Sequence, residues 1–334
     1  MNRFDEQGLR RFRARDAIVA VCLAAILLIL FEGTSIRRAG ERLDPGVVRD
    51  SVLAVGKPTG WLAEQLPLAA AADDATAWLS PDPELTAGTG FAADESDSAA
   101  VRTAGVPPVT ADAFDRTEIG AAAEPRRPLR TMLVTGDSMS TPLDTHVARL
   151  LADTDVRVIR DPHLGTGISK SFVVDWGELS SRQVRDDRPD AVVVFIGANE
   201  GYPMPGPDDR EVECCGPDWA AIYANRVRRM ANTYRRDGAG RVYWITLPTP
   251  RASNAQPITR VVNAAIAVAA QPWRAHVRVI DTVPVFSPSG YRDAMDVDGT
   301  EEIVRDPDGK HLSDAGSRLL AEIVMREIGR DYTY

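Results

Sequence analysis

The sequence predicts an α/β domain, a three-layer α/β/α sandwich built on a parallel sheet. Two observations lead there. Short β-branched runs recur after Pro128, at Arg130–Thr135, Val156–Arg160, Ala191–Ile196, Arg241–Leu247 and Val277–Asp281, with helical stretches at Leu143–Asp153, Trp219–Arg236 and Thr259–Ala270 between them. Runs such as Ala-Val-Val-Val-Phe-Ile at 191–196 are apolar throughout and do not alternate, which marks strands covered on both faces. A last helix over Asp314–Ile328 closes the chain. In such a sandwich ligands bind at the carboxyl ends of the strands, so functional residues are expected just after each strand.

The 334 residues suffice for one or two domains, and 44% hydrophobic with 26% charged residues is enough apolar material for a packed core. Lys and Arg number 39 against 48 Asp and Glu, a net charge of −9, so the chain lacks the basic footprint of a nucleic-acid binder. Three scattered Cys give neither a disulfide framework nor paired zinc-ligand spacing, and no metal or cofactor is expected. The acidic residues Asp293, Asp296, Asp298, Glu301 and Glu302 do not form a calcium loop. Aligning Gly299 with the EF-hand glycine puts Ala294 and Arg305 at the outer ligand positions, so this segment reads as a solvated acidic loop.

The N-terminus has a different character. Ala17–Phe31 is an unbroken apolar run behind Arg3, Arg10, Arg11, Arg13 and Arg15. It reaches spanning length if Glu32, Gly33 and Thr34 lie in the interface, and no small-residue cleavage pattern follows Phe31. Residues 1–34 therefore read as a cytoplasmic tail and an uncleaved transmembrane signal anchor, with the membrane contacted through residues 17–34 and the rest of the chain outside the cytoplasm. Residues 35–79 carry helical periodicity in two pieces, Pro45–Val55 and Trp61–Trp78, separated by Gly56-Lys57-Pro58-Thr59-Gly60, and read as a membrane-proximal stalk. Residues 80–128 are rich in Ala, Asp, Pro, Thr, Gly and Ser, too poor in apolar surface to order, and read as a disordered linker to a domain at 129–334. Gly-Thr-Gly at 88–90 lacks the rest of a phosphate loop.

The first strand leads into Gly136-Asp137-Ser138. Gly136 permits a sharp turn, and Ser138 then sits at a strand-to-helix junction, either as a helix N-cap or as a nucleophile where backbone N–H groups favour developing negative charge. Ser140 stands where an α/β-hydrolase elbow has its last Gly, so that fold is not indicated. A serine nucleophile needs a base, and the base an orienting carboxylate. Asp308 and His311 lie three residues apart in a turn that opens the last helix, with Ser313 as its N-cap, and supply such a pair if they are not merely solvated. His146, His163 and His276 have no comparable carboxylate beside them. Asn199 ends the third strand, and Gly167 follows the second. Their N–H groups, with that of Ser138, form a candidate oxyanion hole.

These four blocks resemble the SGNH, or GDSL, hydrolases: Gly136-Asp137-Ser138 matches the first, Gly167 the second, Gly197-Ala198-Asn199 the third and Asp308-Gly309-Lys310-His311 the last, over roughly residues 129–334. The finer pattern is similar to an envelope-located bacterial branch of that family, through Asp175-Trp176, Trp219 with Tyr223 and Arg226, and Leu247-Pro248. The resemblance implies a flavodoxin-like sandwich and a triad of Ser138, His311 and Asp308, with Ser138, Gly167 and Asn199 as oxyanion donors. Glu200 stands where the third block usually has Asp, and the loop Gly201–Asp218 is long and carries Cys214-Cys215. A vicinal disulfide, an intermolecular bridge and two free thiols are all open for that pair, and no His nearby in sequence makes either Cys catalytic. Trp176, Trp219 and Tyr202 read as core or as stacking faces for sugar rings, with core the default.

The expected activity is that of a membrane-anchored serine hydrolase or acyltransferase. It would act outside the cytoplasm on an O-acyl ester, most simply O-acetyl, of a cell-envelope glycan, or on a small ester. A different class is also open: a catalytically idle SGNH domain that binds glycan or scaffolds an envelope complex, suggested by Glu200 and by the long anchor and linker.

Overall fold

The computed structural model describes residues 47, 50–54, 125–206 and 210–334 of the 334. The chain divides into two compact units, Met1–Ala72 and Asp73–Tyr334. In the first, residues 50–54 are helical, inside the predicted piece Pro45–Val55. The predicted anchor at 17–34, the remainder of the stalk at 35–79 and the linker as far as residue 124 lie outside the described residues. Among the described residues no helix is long and apolar enough to cross a membrane.

The second unit is built on five parallel strands: β1 (Thr131–Gly136), β2 (Arg157–Pro162), β3 (Ala191–Phe195), β4 (Arg241–Ile245) and β5 (Val277–Ile280), in the order β2-β1-β3-β4-β5. Every residue of β3 and β4 is buried, the apolar ones as strands covered on both faces require and Arg241 of β4 through its pairing with Asp331, whereas β2 forms an edge and is only partly covered. Five helices cover the sheet: α1 (Leu143–Leu150), α2 (Trp176–Asp187), α3 (Pro217–Arg235), α4 (Ala255–Ala270) and α5 (Asp314–Asp331). α2 packs on α3 and α3 on α4, while α1 packs on α5. Right-handed crossovers place these two groups on opposite faces, which makes the flavodoxin-like three-layer sandwich.

The winding reverses between β1 and β3, and a crevice opens there at the carboxyl ends of the strands. Two features differ from the sequence reading. Arg127–Pro128, at the end of the predicted linker, is a short strand paired in parallel with Tyr332–Thr333. Its partner lies some two hundred residues away, so no local pattern announces it. The acidic segment read as a solvated loop is a hairpin, Ala294–Val297 against Thr300–Ile303, turning on Asp298 and Gly299, both at positive φ. The Asp-Gly pair was the available signal for it.

Candidate active site

Gly136 ends β1 at φ +146°, and a Cβ there would lie 1.9 Å from the Phe195 carbonyl oxygen on β3, so only glycine lets the two strands close at this point. The chain then enters a single 3₁₀ turn, Ser138–Ser140. Asp137 caps that turn, its Oδ1 accepting from Met139 N (2.9 Å). Its Oδ2 accepts from Gly197 N (2.9 Å) and Ala198 N (2.7 Å), so one buried carboxylate ties the first block to the third.

The base arrives from the opposite end of the sequence. His311 Nε2 lies 2.7 Å from Ser138 Oγ, and its Nδ1 contacts Asp308 Oδ2. Asp308 Oδ1 also accepts from Lys310 N (2.8 Å) and His311 N (3.0 Å), so the carboxylate shapes the turn that presents the ring. Gly309 turns at φ +70°. The buried guanidinium of Arg305 donates to the Gly309 and Lys310 carbonyls (3.2 and 3.0 Å), and Lys310 Nζ reaches across to the Ala198 carbonyl (2.9 Å). The last block is thereby fastened to the third. Ser313 caps α5 through Gly316 N (3.1 Å), as its position suggests.

The second block is held by the residue that departs from the family pattern. Glu200 Oε1 accepts from Ile168 N (2.8 Å) and Tyr223 OH (3.0 Å), and Oε2 from Ser169 N (2.8 Å) and Ser169 Oγ (2.5 Å). Gly167 sits directly against this segment: a Cβ there would come within 2.9 Å of the Asn199 carbonyl oxygen and 3.2 Å of Glu200 Oε1. Asn199 Nδ2 donates to the Thr166 carbonyl (3.1 Å), which occupies one of its two amide hydrogens and leaves the other to serve a ligand. Around these groups, Arg226 donates to the Ile168 carbonyl (2.9 Å), Trp176 Nε1 to Thr166 Oγ1 (3.2 Å) and Trp219 Nε1 to the Tyr202 carbonyl (2.8 Å). The structure thus brings Ser138, His311 and Asp308 together and sets Gly167 and Asn199 side by side, with Ala198, the neighbour of Asn199, bonded to Asp137 and Lys310 beside the triad.

Residues 131–327, more than half of the chain, match the family described as a protein of unknown function, DUF459. The chain belongs to this family. The family is SGNH-like, and the Ser138–His311–Asp308 geometry is the arrangement that serine esterases use. No curated protein matches the chain. Among solved structures, it is similar to a lipase/acylhydrolase from Enterococcus faecalis, at 23% identity over 60% of this chain and 97% of that one, with a TM-score of 0.42. A variant of an acetyl xylan esterase from Geobacillus stearothermophilus is similar at 19% identity over 65% and 99% of the two chains, TM-score 0.40. A carbohydrate acetylesterase from Sinorhizobium meliloti is similar at 14% identity over 60% and 98%, TM-score 0.41.

The electrostatics of this SGNH-like site follow from its burial. Burial pulls the Asp308 carboxyl upward, but the charge and hydrogen bond of His311 and the N–H groups of Lys310 and His311 outweigh it and hold the group well below the ordinary carboxylate range. Asp137 and Glu200 go the other way. Burial raises both above the ordinary value despite the N–H groups they accept from, and the Asp137 charge lifts Glu200 further.

Sequence reasoning missed several working residues. Asp137 lies in the first block, but nothing local marks it as the link to Gly197 and Ala198. The clamps made by Glu200 and Lys310, and the bond from Arg305 to the Thr249 carbonyl (3.1 Å), likewise join segments distant in sequence. His146 does have a carboxylate partner, Asp314 on α5 (2.9 Å), and His163 pairs with Asp161 (3.1 Å). The first of these spans 168 residues, beyond the reach of any local pattern. Cys214 and Cys215 are joined to each other. Trp176 and Trp219 are buried, as expected, whereas Tyr202 is half-buried and meets the exposed Phe172 edge-on. Among the described residues no three His, Cys, Asp or Glu side chains gather into a metal-binding group.

Proposed function

We propose that this protein is an esterase or acyltransferase that removes O-acyl groups from a glycan outside the cytoplasm, through an acyl-enzyme on Ser138. The observation that carries the reading is the 2.7 Å approach of Ser138 Oγ to His311 Nε2 with Asp308 on the other ring nitrogen. Ser138 Oγ attacks the acyl carbonyl carbon as its proton passes to His311 Nε2, and Asp308 holds the ring in the tautomer that accepts it. The carbonyl oxygen becomes an oxyanion met by the N–H groups of Ser138 and Gly167 and the amide of Asn199. Collapse expels the sugar oxygen, which takes the proton from His311 and leaves acyl-Ser138. Water, or a second sugar hydroxyl in transfer, then attacks with His311 again as base, releasing the acyl group and restoring Ser138.

The idle-domain reading loses its motive at Glu200. Its carboxylate reaches the second block with three hydrogen bonds and Tyr223 of α3 with a fourth, so the longer side chain completes the loop and does not disrupt it. The extracytoplasmic site is supported by the arginine-flanked Ala17–Phe31 run and the absence of a cleavage pattern after it. Protease added to intact spheroplasts should release the domain; protection until lysis would remove the glycan from this proposal. The chemistry is tested separately. A fluorophosphonate should label Ser138, and Ser138→Ala should lose hydrolysis of a short ester by about 10⁴-fold or more with the fold unchanged. Equal rates in parent and variant would remove Ser138 as nucleophile.

A further inference from the structure

A cavity of about 140 Å³ adjoins the site, and its near wall is made of the sequence neighbours of the site residues: Met139 follows Ser138, Ala198 precedes Asn199, and Lys310 precedes His311. Its far wall is mainly aliphatic, from Leu247, Pro248 and Pro250 after β4 and Ile258 on α4, with Thr259 as its one hydroxyl. A cavity placed beside Ser138 in this way has room for one end of a substrate engaged there.

The charged side chains on the wall are turned to the protein. Lys310 Nζ donates to the Ala198 carbonyl, and the Glu200 oxygens accept from Ile168, Ser169 and Tyr223. A sugar ring placed here would bring several hydroxyls into an aliphatic box, where unpaired polar groups are disfavoured. The acyl chain is the apolar end of an O-acyl glycan, and its chemistry matches the box. An apolar cavity of ~150 Å³ holds a benzene-sized, six-carbon guest, so about 140 Å³ is far more room than an acetyl methyl fills. We propose that this cavity is the acyl pocket and that the enzyme prefers acyl groups of about four to six carbons over acetyl. This rests on the esterase reading above and narrows its substrate class.

The test keeps the leaving group constant and varies the acyl chain, measuring kcat/KM on p-nitrophenyl acetate, butyrate, hexanoate and decanoate, each divided by its rate of hydroxide hydrolysis. Burial of each methylene is worth about fourfold, so butyrate should exceed acetate by about 15-fold, hexanoate should hold or extend the gain, and decanoate should fall back. Ile258→Trp, which fills the cavity from half-buried α4, should cut hexanoate at least tenfold and leave acetate within about threefold. Acetate as the best substrate, or equal loss on both esters in the variant, would overturn the acyl pocket while Ser138 labelling by fluorophosphonate kept the esterase reading. No hydrolysis of any ester together with no labelling would instead overturn the esterase reading itself.

Discussion

Glu200→Gln separates the two things a buried carboxylate does here, holding the fold and placing an oxyanion donor. Each carboxylate oxygen takes one backbone N–H and one hydroxyl, Ile168 N with Tyr223 OH, and Ser169 N with Ser169 Oγ. Gln keeps a single acceptor oxygen, and its NH₂ must face one of these pairs. A hydroxyl there rotates and accepts, but a backbone N–H has no such freedom. One buried N–H is thus orphaned, at a cost of ~1–3 kcal/mol, and a charge-assisted bond is lost with it. The 168–169 backbone moves off the clamp and carries the Gly167 N–H with it. Complete loss of an oxyanion donor lowers kcat ~10²–10³-fold, so a displaced one should lower it about 10–100-fold, with KM within about twofold because the contact strengthens only in the transition state. The assay is kcat per active site on p-nitrophenyl butyrate, with sites counted by fluorophosphonate titration so that unfolded protein does not register. Glu200→Asp, which keeps the carboxylate on a shorter stem, should recover part of the loss. A Glu200→Gln protein that melts earlier yet turns over within twofold of the parent per titrated site would show that Glu200 holds the fold alone.

Asp308→Asn should lower kcat by about 10³–10⁴-fold with little change in KM, because the amide no longer fixes the His311 tautomer; steady-state kinetics on the same ester check it. The same pair sets a pH dependence. The folded-state value of Asp308 is depressed, so its stabilising contribution is present above the unfolded value of ~3.9 and is lost as pH falls below it. The difference in unfolding free energy between the parent and Asp308→Asn should therefore narrow as urea titrations move from pH 6 to pH 3. Gly136→Ala places a methyl 1.9 Å from the Phe195 carbonyl oxygen and should destabilise the domain by about 4 kcal/mol or more, read as loss of the cooperative thermal transition.

What the sequence made legible was local. β3 is a continuous apolar run whose burial could be read from composition alone, and β4 is apolar after Arg241, whose burial needs its distant partner Asp331 (2.6 Å); both observed strands lie within two residues of the expected ones. The Asp308–His311 pair was legible because both members occupy one turn. α2 was not. Its segment, Trp-Gly-Glu-Leu-Ser-Ser-Arg-Gln, buries Ser180 and Gln183 beside Trp176 and Leu179, so polar side chains occupy core positions and break the apolar period. Those burials make sense only with their partners: Gln183 Nε2 donates to Asp161 (2.7 Å) and Thr135 (3.0 Å), and its Oε1 accepts from Tyr234 OH (2.6 Å). The candidate site divides the same way. Its chemistry-bearing residues stand in recognisable blocks, whereas the clamps that set their distances cross between blocks and leave no trace along the chain.

Those clamps explain why buried anions lie beneath a site that itself develops negative charge. Asp137 collects N–H groups from the first and third blocks and Glu200 from the second, with backbone and hydroxyl donors where a countercharge would otherwise be expected. A cation would neutralise each carboxylate but would fix no backbone, whereas a carboxylate satisfied by N–H groups locks the very loops that carry the proposed oxyanion donors. The donors are then oriented before substrate arrives, which is the arrangement that stabilises a transition state without reorganisation. The raised values of both carboxylates record the cost of that burial. In the proposed reaction the Ser138 proton moves to the ring, and the imidazolium is held by Asp308 on its other nitrogen.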